Sequence, residues 1–157
     1  MIERALIIGG TGMLAEASRW VATQARQTVL AARKPEALAE EIGATPWAMD
    51  WRDQCSGLST LVPMPEFDLV LVWLHVDGLW LAEHLHSKLA GGGRFVQVHG
   101  SAALDGAVLE RRSVAGVGVQ NVILGRKGGR WLCKAEISAG VIAALEAPFE
   151  PRVVVGA

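Results

Sequence analysis

The chain contains no tyrosine. No phenol is available as a general acid, which leaves imidazole as the side chain best suited to move protons near neutral pH. Cysteine is scarce. Cys55 and Cys133 are the two present, and their spacing fits neither a disulfide framework nor a metal knuckle. Both read as reduced thiols, which implies a cytoplasmic protein. No pair of the four histidines has zinc-site spacing and the carboxylates are scattered, so no metal is expected. No run of about 18 apolar residues is present to cross a membrane, and the chain enters its first apolar run without a leader-like segment. Neither sign of charge prevails: 15 basic against 16 acidic residues give a net charge of -1, which argues against nucleic acid or an anionic membrane as partner. Repeats and low-complexity tracts are absent.

What is present is apolar. Hydrophobic residues make up 51% of the chain and the mean hydropathy is +0.30. That richness suits a parallel sheet buried on both faces. It also suits apolar surface buried in a homodimer or tetramer, although six tryptophans in a core would account for it equally. At 157 residues, the chain reads as one domain over 1–157, large enough for a core without staples.

The most informative stretch is the first. Ala5 to Ile8 is a short apolar run that stops at Gly9-Gly10-Thr11-Gly12-Met13-Leu14-Ala15, and a helical pattern runs from Met13 to about Gln24. Gly10 to Ala15 fits G-x-G-x-x-A, and Gly9, Gly12 and Ala15 form a second frame of small residues. Strand, glycine turn and helix open a dinucleotide-binding βαβ unit. In it Gly12 lets the backbone approach a pyrophosphate, Ala15 lets the helix lie close to the strand, and the free amides at the helix start face the phosphates. A second strand, Thr28 to Ala32, comes at the expected distance and ends in Arg33-Lys34. An acidic residue there suits the ribose hydroxyls of NAD, whereas an arginine fork suits a 2′-phosphate, so NADP is expected over NAD. A solvated basic loop is the plainer reading of the same pair.

The remainder of the pattern continues the alternation. Pro35 to Glu41 reads as a helix ended by Gly43, and Thr45 to Met49 as an edge strand, since Pro46 cannot donate to a ladder. Asp50 follows, either to accept from an adenine amino group or to cap a helix over Trp51 to Leu61. Phe67 to Leu74 is the clearest buried strand. Leu81, Leu85 and Leu89 repeat at helical spacing up to Gly91-Gly92-Gly93. Arg94 to His99 is the fifth strand, and Ala102 to Arg112 a short helix or a loop. Gly116 to Gly125 reads as a sixth strand, Lys127 to Arg130 as a hairpin turn, Lys134 to Leu145 as a last helix and Val153 to Val155 as a final edge strand. The fold class is α/β: Rossmann-like and doubly wound, with a mostly parallel sheet and helices on both faces. Ligands in such sheets bind beyond the carboxyl ends of the strands. This singles out Gly9, Thr11, Gly12, Met13 and Leu14 after the first strand and Arg33 and Lys34 after the second. Asp50 follows the third strand, Trp73 and His75 close the fourth, and His99 and Ser101 follow the fifth.

The loop Gly9 to Ala15, with Arg33, Asp50 and Ser101 downstream, resembles that of the short-chain dehydrogenase/reductase superfamily, in particular its small atypical bacterial members. Trp73-Leu74-His75, Val122 to Gly125, Arg130-Trp131-Leu132 and Glu136 to Ser138 extend the likeness over nearly the whole chain. The resemblance implies that Gly9, Gly12 and Ala15 are the small residues of the cofactor loop and that Asp50 contacts the adenine. It also implies that Ser101 stands near the position of the catalytic serine. The superfamily's Tyr-x-x-x-Lys pair has no counterpart here, which leaves His75 or His99 to supply a proton. Two functional readings follow: an NADP-dependent oxidoreductase acting on a small molecule with a non-standard proton donor, or a dinucleotide-binding sensor without turnover. A third leaves the glycine loop purely structural.

Overall fold

Alternation of short β-branched runs with helical segments produces the layers directly. The computed structural model describes residues 1–148 and 150–156. The first half comprises β1 (Ile2–Ile8), α1 (Ala15–Gln24), β2 (Ala25–Ala32), α2 (Glu36–Ile42), β3 (Thr45–Ala48), α3 (Gln54–Leu61) and β4 (Phe67–Trp73). The second comprises α4 (Trp80–His86), β5 (Leu89–His99), α5 (Gly106–Arg112), β6 (Val119–Leu124), a hairpin of β7 (Arg126–Lys127) and β8 (Arg130–Trp131), α6 (Lys134–Glu146) and β9 (Arg152–Val155). Seven strands form one sheet in the order β3-β2-β1-β4-β5-β6-β9, and every neighbouring pair is parallel. The order reverses between β1 and β4, so the chain's first loop and the end of β4 lie side by side.

The period of two within strands divides the core. Ala5 and Ile7 of β1 face α1 and α6, with Leu14, Val21, Val141 and Leu145. Leu6 and Ile8 face the other side, with Trp47, Phe67, Leu81 and Leu85. This is the doubly wound α/β fold the pattern predicts, edge strands β3 and β9 included.

Two elements differ from expectation. α4 stops at His86, and Leu89 already belongs to β5, paired with Phe67. Two restraints turn the chain there: the Lys88 Nζ donates to the carbonyls of Val62 and Met64 at 2.7 and 2.8 Å, and the Phe67 amide donates to the Lys88 carbonyl at 2.8 Å. The three glycines therefore bulge out of a strand instead of closing a helix; Leu69 next pairs with Arg94, and Gly92 sits at φ +76°. The helix expected from Trp51 starts at Gln54. Its cap is Asp53, whose carboxylate accepts from the Ser56 amide at 3.1 Å, so Asp50 is not the cap. Ala102 to Arg112 resolves into a 3-10 turn over Ser101–Leu104 followed by α5.

A half-buried polar knot fixes the far end of α6. The Arg94 guanidinium, from β5, donates to the carbonyl of Leu145 at 2.6 Å and to Gln120 Oε1 at 2.9 Å. Gln120 Nε2 in turn lies within reach of the carbonyls of Ala144, Ala147 and Glu150. These carbonyls lie in the last turn of α6 and in the segment that follows it, so both side chains hold the helix end to β5 and β6.

Candidate functional site

The loop after β1 is held from behind by two buried serines. Gly9 continues the β1 ladder, its amide 2.9 Å from the Ala31 carbonyl, and adopts φ +78°. The Ser18 hydroxyl of α1 lies 2.9 Å from the carbonyls of both Gly10 and Leu14. The Ser138 hydroxyl of α6 donates to the Met13 carbonyl at 3.1 Å and accepts from the Ala17 amide at 3.2 Å, serving as a tertiary cap for α1. Leu14, at the N-cap position, offers no side-chain cap of its own. Among the described residues, no backbone acceptor takes the amides of Thr11, Gly12 or Met13.

The three glycines of this loop differ in what surrounds them. A Cβ on Gly9 would lie 2.5 Å from the Trp73 carbonyl, and one on Gly10 would lie 2.3 Å from Ser18 Oγ. The fold itself demands both. A Cβ on Gly12 would meet nothing within 4 Å. No contact inside the protein explains a glycine there.

This loop forms one wall of a cleft of about 550 Å³ that also includes Arg33, Lys34, Trp51, Trp73 and His75. Arg33 and Lys34, both exposed, place two cations opposite the loop amides. A side pocket of about 250 Å³ adds Asp50, Arg52 and Asp77. Arg52 grips the Asp50 carboxylate, with its terminal nitrogen at 2.6 Å and its Nε at 3.0 Å, and its backbone amide donates at 3.0 Å. Together with the nearby charge of Arg33, these bonds hold Asp50 at a pKa of about 2. His75 is exposed, its ring 5.3 Å from that of Trp51 and 6.3 Å from that of Trp73.

Across Trp73 and Met13, which line both, lies a narrower apolar cleft of about 140 Å³. Ser101, Gly125, Trp131, Leu132 and Ile137 contribute to its walls. Ser101 opens the turn after β5 and supplies the only hydroxyl in that lining. A further cavity of about 440 Å³, lined by Arg4, Val29, Trp47 and Phe67, sits at the opposite, amino ends of the strands and shares no residue with these clefts.

The residues singled out in the sequence are thus sorted into groups. Gly9, Thr11, Gly12, Met13, Arg33, Lys34 and Trp73 meet in the larger cleft, and Asp50 in its side pocket. Leu14 does not present its side chain there: it is fully buried against α1 and α6, so only its backbone borders the loop. The three candidate proton carriers are not brought together. Ser101 lines the narrow cleft, His75 the larger one, and His99 neither. His99 is 5% exposed, its Nε2 lies 2.8 Å from Asn121 Oδ1, and burial lowers its pKa. The alternation of the strand explains this: the position just inside the carboxyl end of β5 turns its side chain into the sheet layer.

Several residues carry the site without having been singled out. Trp51 walls the larger cleft; it packs on Gly78, where a Cβ would come within 3.0 Å of the indole, and its carbonyl accepts from Trp80 Nε1 at 2.9 Å. Arg52 sets the state of Asp50, and Ser18 and Ser138 hold the loop. Small residues on an inward helix face, such as Ser18, are the one signal that sequence offers for such props.

No protein-family model and no curated protein matches the sequence. Solved structures match in three dimensions. The chain is similar to the E. coli protein BdcA in complex with NADPH at 16% identity, covering 99% of this chain and 95% of that one with a TM-score of 0.65. It is similar to a metagenomic short-chain oxidoreductase in complex with NADP at 17% identity, covering 98% and 96%, TM-score 0.65. A short-chain dehydrogenase from Sphingobium yanoikuyae in complex with NADPH matches at 15% identity over 97% and 87%, TM-score 0.65. At such identities the likeness is one of fold.

Proposed function

We propose that residues 1–157 form a single NADP(H)-binding domain of the short-chain dehydrogenase/reductase type, of a small branch without the tyrosine–lysine pair, that acts as an oxidoreductase on a small molecule. One observation carries this reading: Gly12 stands open, between amides without acceptors, in a loop pinned by Ser18 and Ser138 and faced by Arg33 and Lys34. A methyl group would fill that space, and a diphosphate fits it in both charge and hydrogen bonding. The fold's likeness to proteins solved with NADP or NADPH agrees with it.

In this reading the amides of Thr11, Gly12 and Met13 hold the pyrophosphate, and Arg33 with Lys34 holds the 2′-phosphate. Asp50, already engaged by Arg52, borders the adenine end as a fixed carboxylate. Trp73 and Met13 separate the adenosine side from the narrow cleft. A bound nicotinamide would supply the hydride chemistry. Ser101 would hold a substrate oxygen beside it by hydrogen bonding. His75 stands with the phosphate-binding residues, so its role shifts from proton donor to lining the nucleotide.

One observation favours the alternative of a sensor without turnover. Ser101 is the only protic side chain in the narrow cleft apart from the indoles of Trp73 and Trp131, and nothing in that lining titrates near neutral pH. Titration with NADPH and NADH, followed by a panel of carbonyl substrates, tests both readings. NADPH should bind at least ten times more tightly than NADH, and Arg33→Ala should remove that margin while leaving NADH binding unchanged. Consumption of NADPH selects the oxidoreductase, whereas tight binding without consumption selects the sensor. Binding of neither nucleotide refutes the proposal.

A further inference from the structure

Beyond Ser101 the strand ends open into a third cleft, of about 630 Å³, lined by Ser101, Leu104, Arg126, Val154 and glycines that include Gly125. It adjoins the narrow cleft through Ser101 and Gly125, which line both. In the two linings together, Arg126 is the only ionisable residue.

The hairpin explains why this arginine is available. β7 and β8 pair Arg126 with Trp131 and Lys127 with Arg130. Lys127, at 3.5 Å, and Arg130, at 2.7 Å, both turn to Glu136, which also accepts from the Cys133 amide at 3.0 Å. The bonds from Arg130 and Cys133 hold the Glu136 carboxyl well below the usual carboxylate range. Glu136 is therefore fully engaged, and among the described residues no carboxylate lies within salt-bridge reach of Arg126. Instead its guanidinium carbon stands 4.0 Å from the centroid of the Trp131 ring, and Trp131 walls the narrow cleft. A guanidinium over a ring face is attracted there by the ring and keeps its N–H donors free at its edges. At the tip of the hairpin, Gly128 and Gly129 take φ of +58° and +75°, and a Cβ on either would meet nothing within 4 Å. The hairpin therefore borders an open cleft with a single cation held beside Trp131, and one hydroxyl, Ser101, lies where this cleft joins the narrow one.

We infer that the hairpin selects the substrate, and that the cleft between Ser101 and Arg126 takes small oxo acids. The carbonyl oxygen lies toward the Ser101 hydroxyl and the carboxylate on the Arg126 fork. This rests on the oxidoreductase reading for its place in a reaction, but the binding it describes does not require the dinucleotide. A neutral ketone of the same skeleton gains only the Ser101 contact. An oxo acid adds a two-pronged charge-assisted pair, the contact that guanidinium geometry matches best.

The test uses the full chain with 15N-labelled tryptophan, titrated with 2-oxobutanoate, 4-oxopentanoate and the methyl ester of each, with and without NADPH. At least one acid should bind roughly ten times more tightly than its ester and move the Trp131 indole resonance. Arg126→Gln should erase that margin, Arg126→Lys should restore part of it, and Lys127→Gln should keep it. NADPH affinity should stay the same in all three variants, which also shows that they are folded. Equal binding of acid and ester, binding of neither, or a margin that survives Arg126→Gln overturns the inference. A carboxylate margin in a protein that does not bind NADPH upholds the anion subsite and overturns the dinucleotide reading alone. NADPH binding without the margin does the reverse.

Discussion

Gly12→Ala separates a glycine required by the fold from one required by a ligand. Gly12 is not among the glycines with positive φ, and an added methyl group has no neighbour within 4 Å. Stability should therefore hold or rise, by about 0.4–1 kcal/mol, because alanine restricts the unfolded chain more than glycine does. Nucleotide affinity should fall. The methyl group stands where a phosphate oxygen must approach the loop amides, and losing one charge-assisted hydrogen bond costs about 1.5–3 kcal/mol, roughly ten- to a hundred-fold in Kd. Gly9→Ala is the matched control. It forces a methyl group into the left-handed region at φ +78° and to 2.5 Å from the Trp73 carbonyl. The conformational penalty and the overpacking together come to about 2–5 kcal/mol, a drop in midpoint of roughly 5–15 °C. Urea denaturation and NADPH fluorescence titration of the two variants form the assay. If Gly12→Ala binds NADPH like the parent, the open space above the loop is not a phosphate site. If Gly12→Ala unfolds as readily as Gly9→Ala, the packing argument itself is wrong.

Ser138→Ala should destabilise the protein by about 1–3 kcal/mol, because the Ala17 amide and the Met13 carbonyl both lose their partner in a buried setting; the denaturation midpoint reads this directly. It should also weaken NADPH binding several-fold, since the loop is no longer held in place, and a change in stability without any change in affinity would refute the supporting role. Below neutral pH, His99 should govern part of the stability. Its folded pKa lies below the ordinary 6.5, so the unfolded chain binds the extra proton first and stability is lost as pH falls below 6.5; His99→Gln should flatten the denaturation midpoint in that window. Asp50 acts at lower pH, its contribution present above 3.8 and lost as pH falls toward about 2; Asp50→Asn should remove that limb of the profile.

The alternation of strands and helices and the glycine turn were legible because both follow from local chemistry. An apolar run stopped by glycine fixes a strand end, and Pro46 keeps β3 at an edge. The limit of α4 was not legible: Leu81, Leu85 and Leu89 keep a helical period, yet the turn at Lys88 depends on carbonyls of Val62 and Met64, more than twenty residues away. The site divides in the same way. Gly12 and Arg33 reveal themselves through their position after a strand. His99 carries the same signal, and only the pairing of β5 with β6 discloses that its ring is spent on Asn121. Arg126 was invisible for a related reason, since three cations close together read as a solvated turn until Glu136 is seen to engage two of them.

The glycine loop is propped by a helix that lies more than a hundred residues downstream. Ser138 reaches Met13 across 125 positions, and the helix bearing Ser138 is tied at its far end by Arg94 and Gln120. During synthesis, therefore, the glycine turn emerges well before its support. The nascent chain can form β1, α1 and β2 early, but the turn gains its final shape only after α6 leaves the ribosome and docks. A product interrupted before residue 138 would keep every glycine of the motif yet present a slack turn. Affinity for the nucleotide would thus report on whether translation had run through α6.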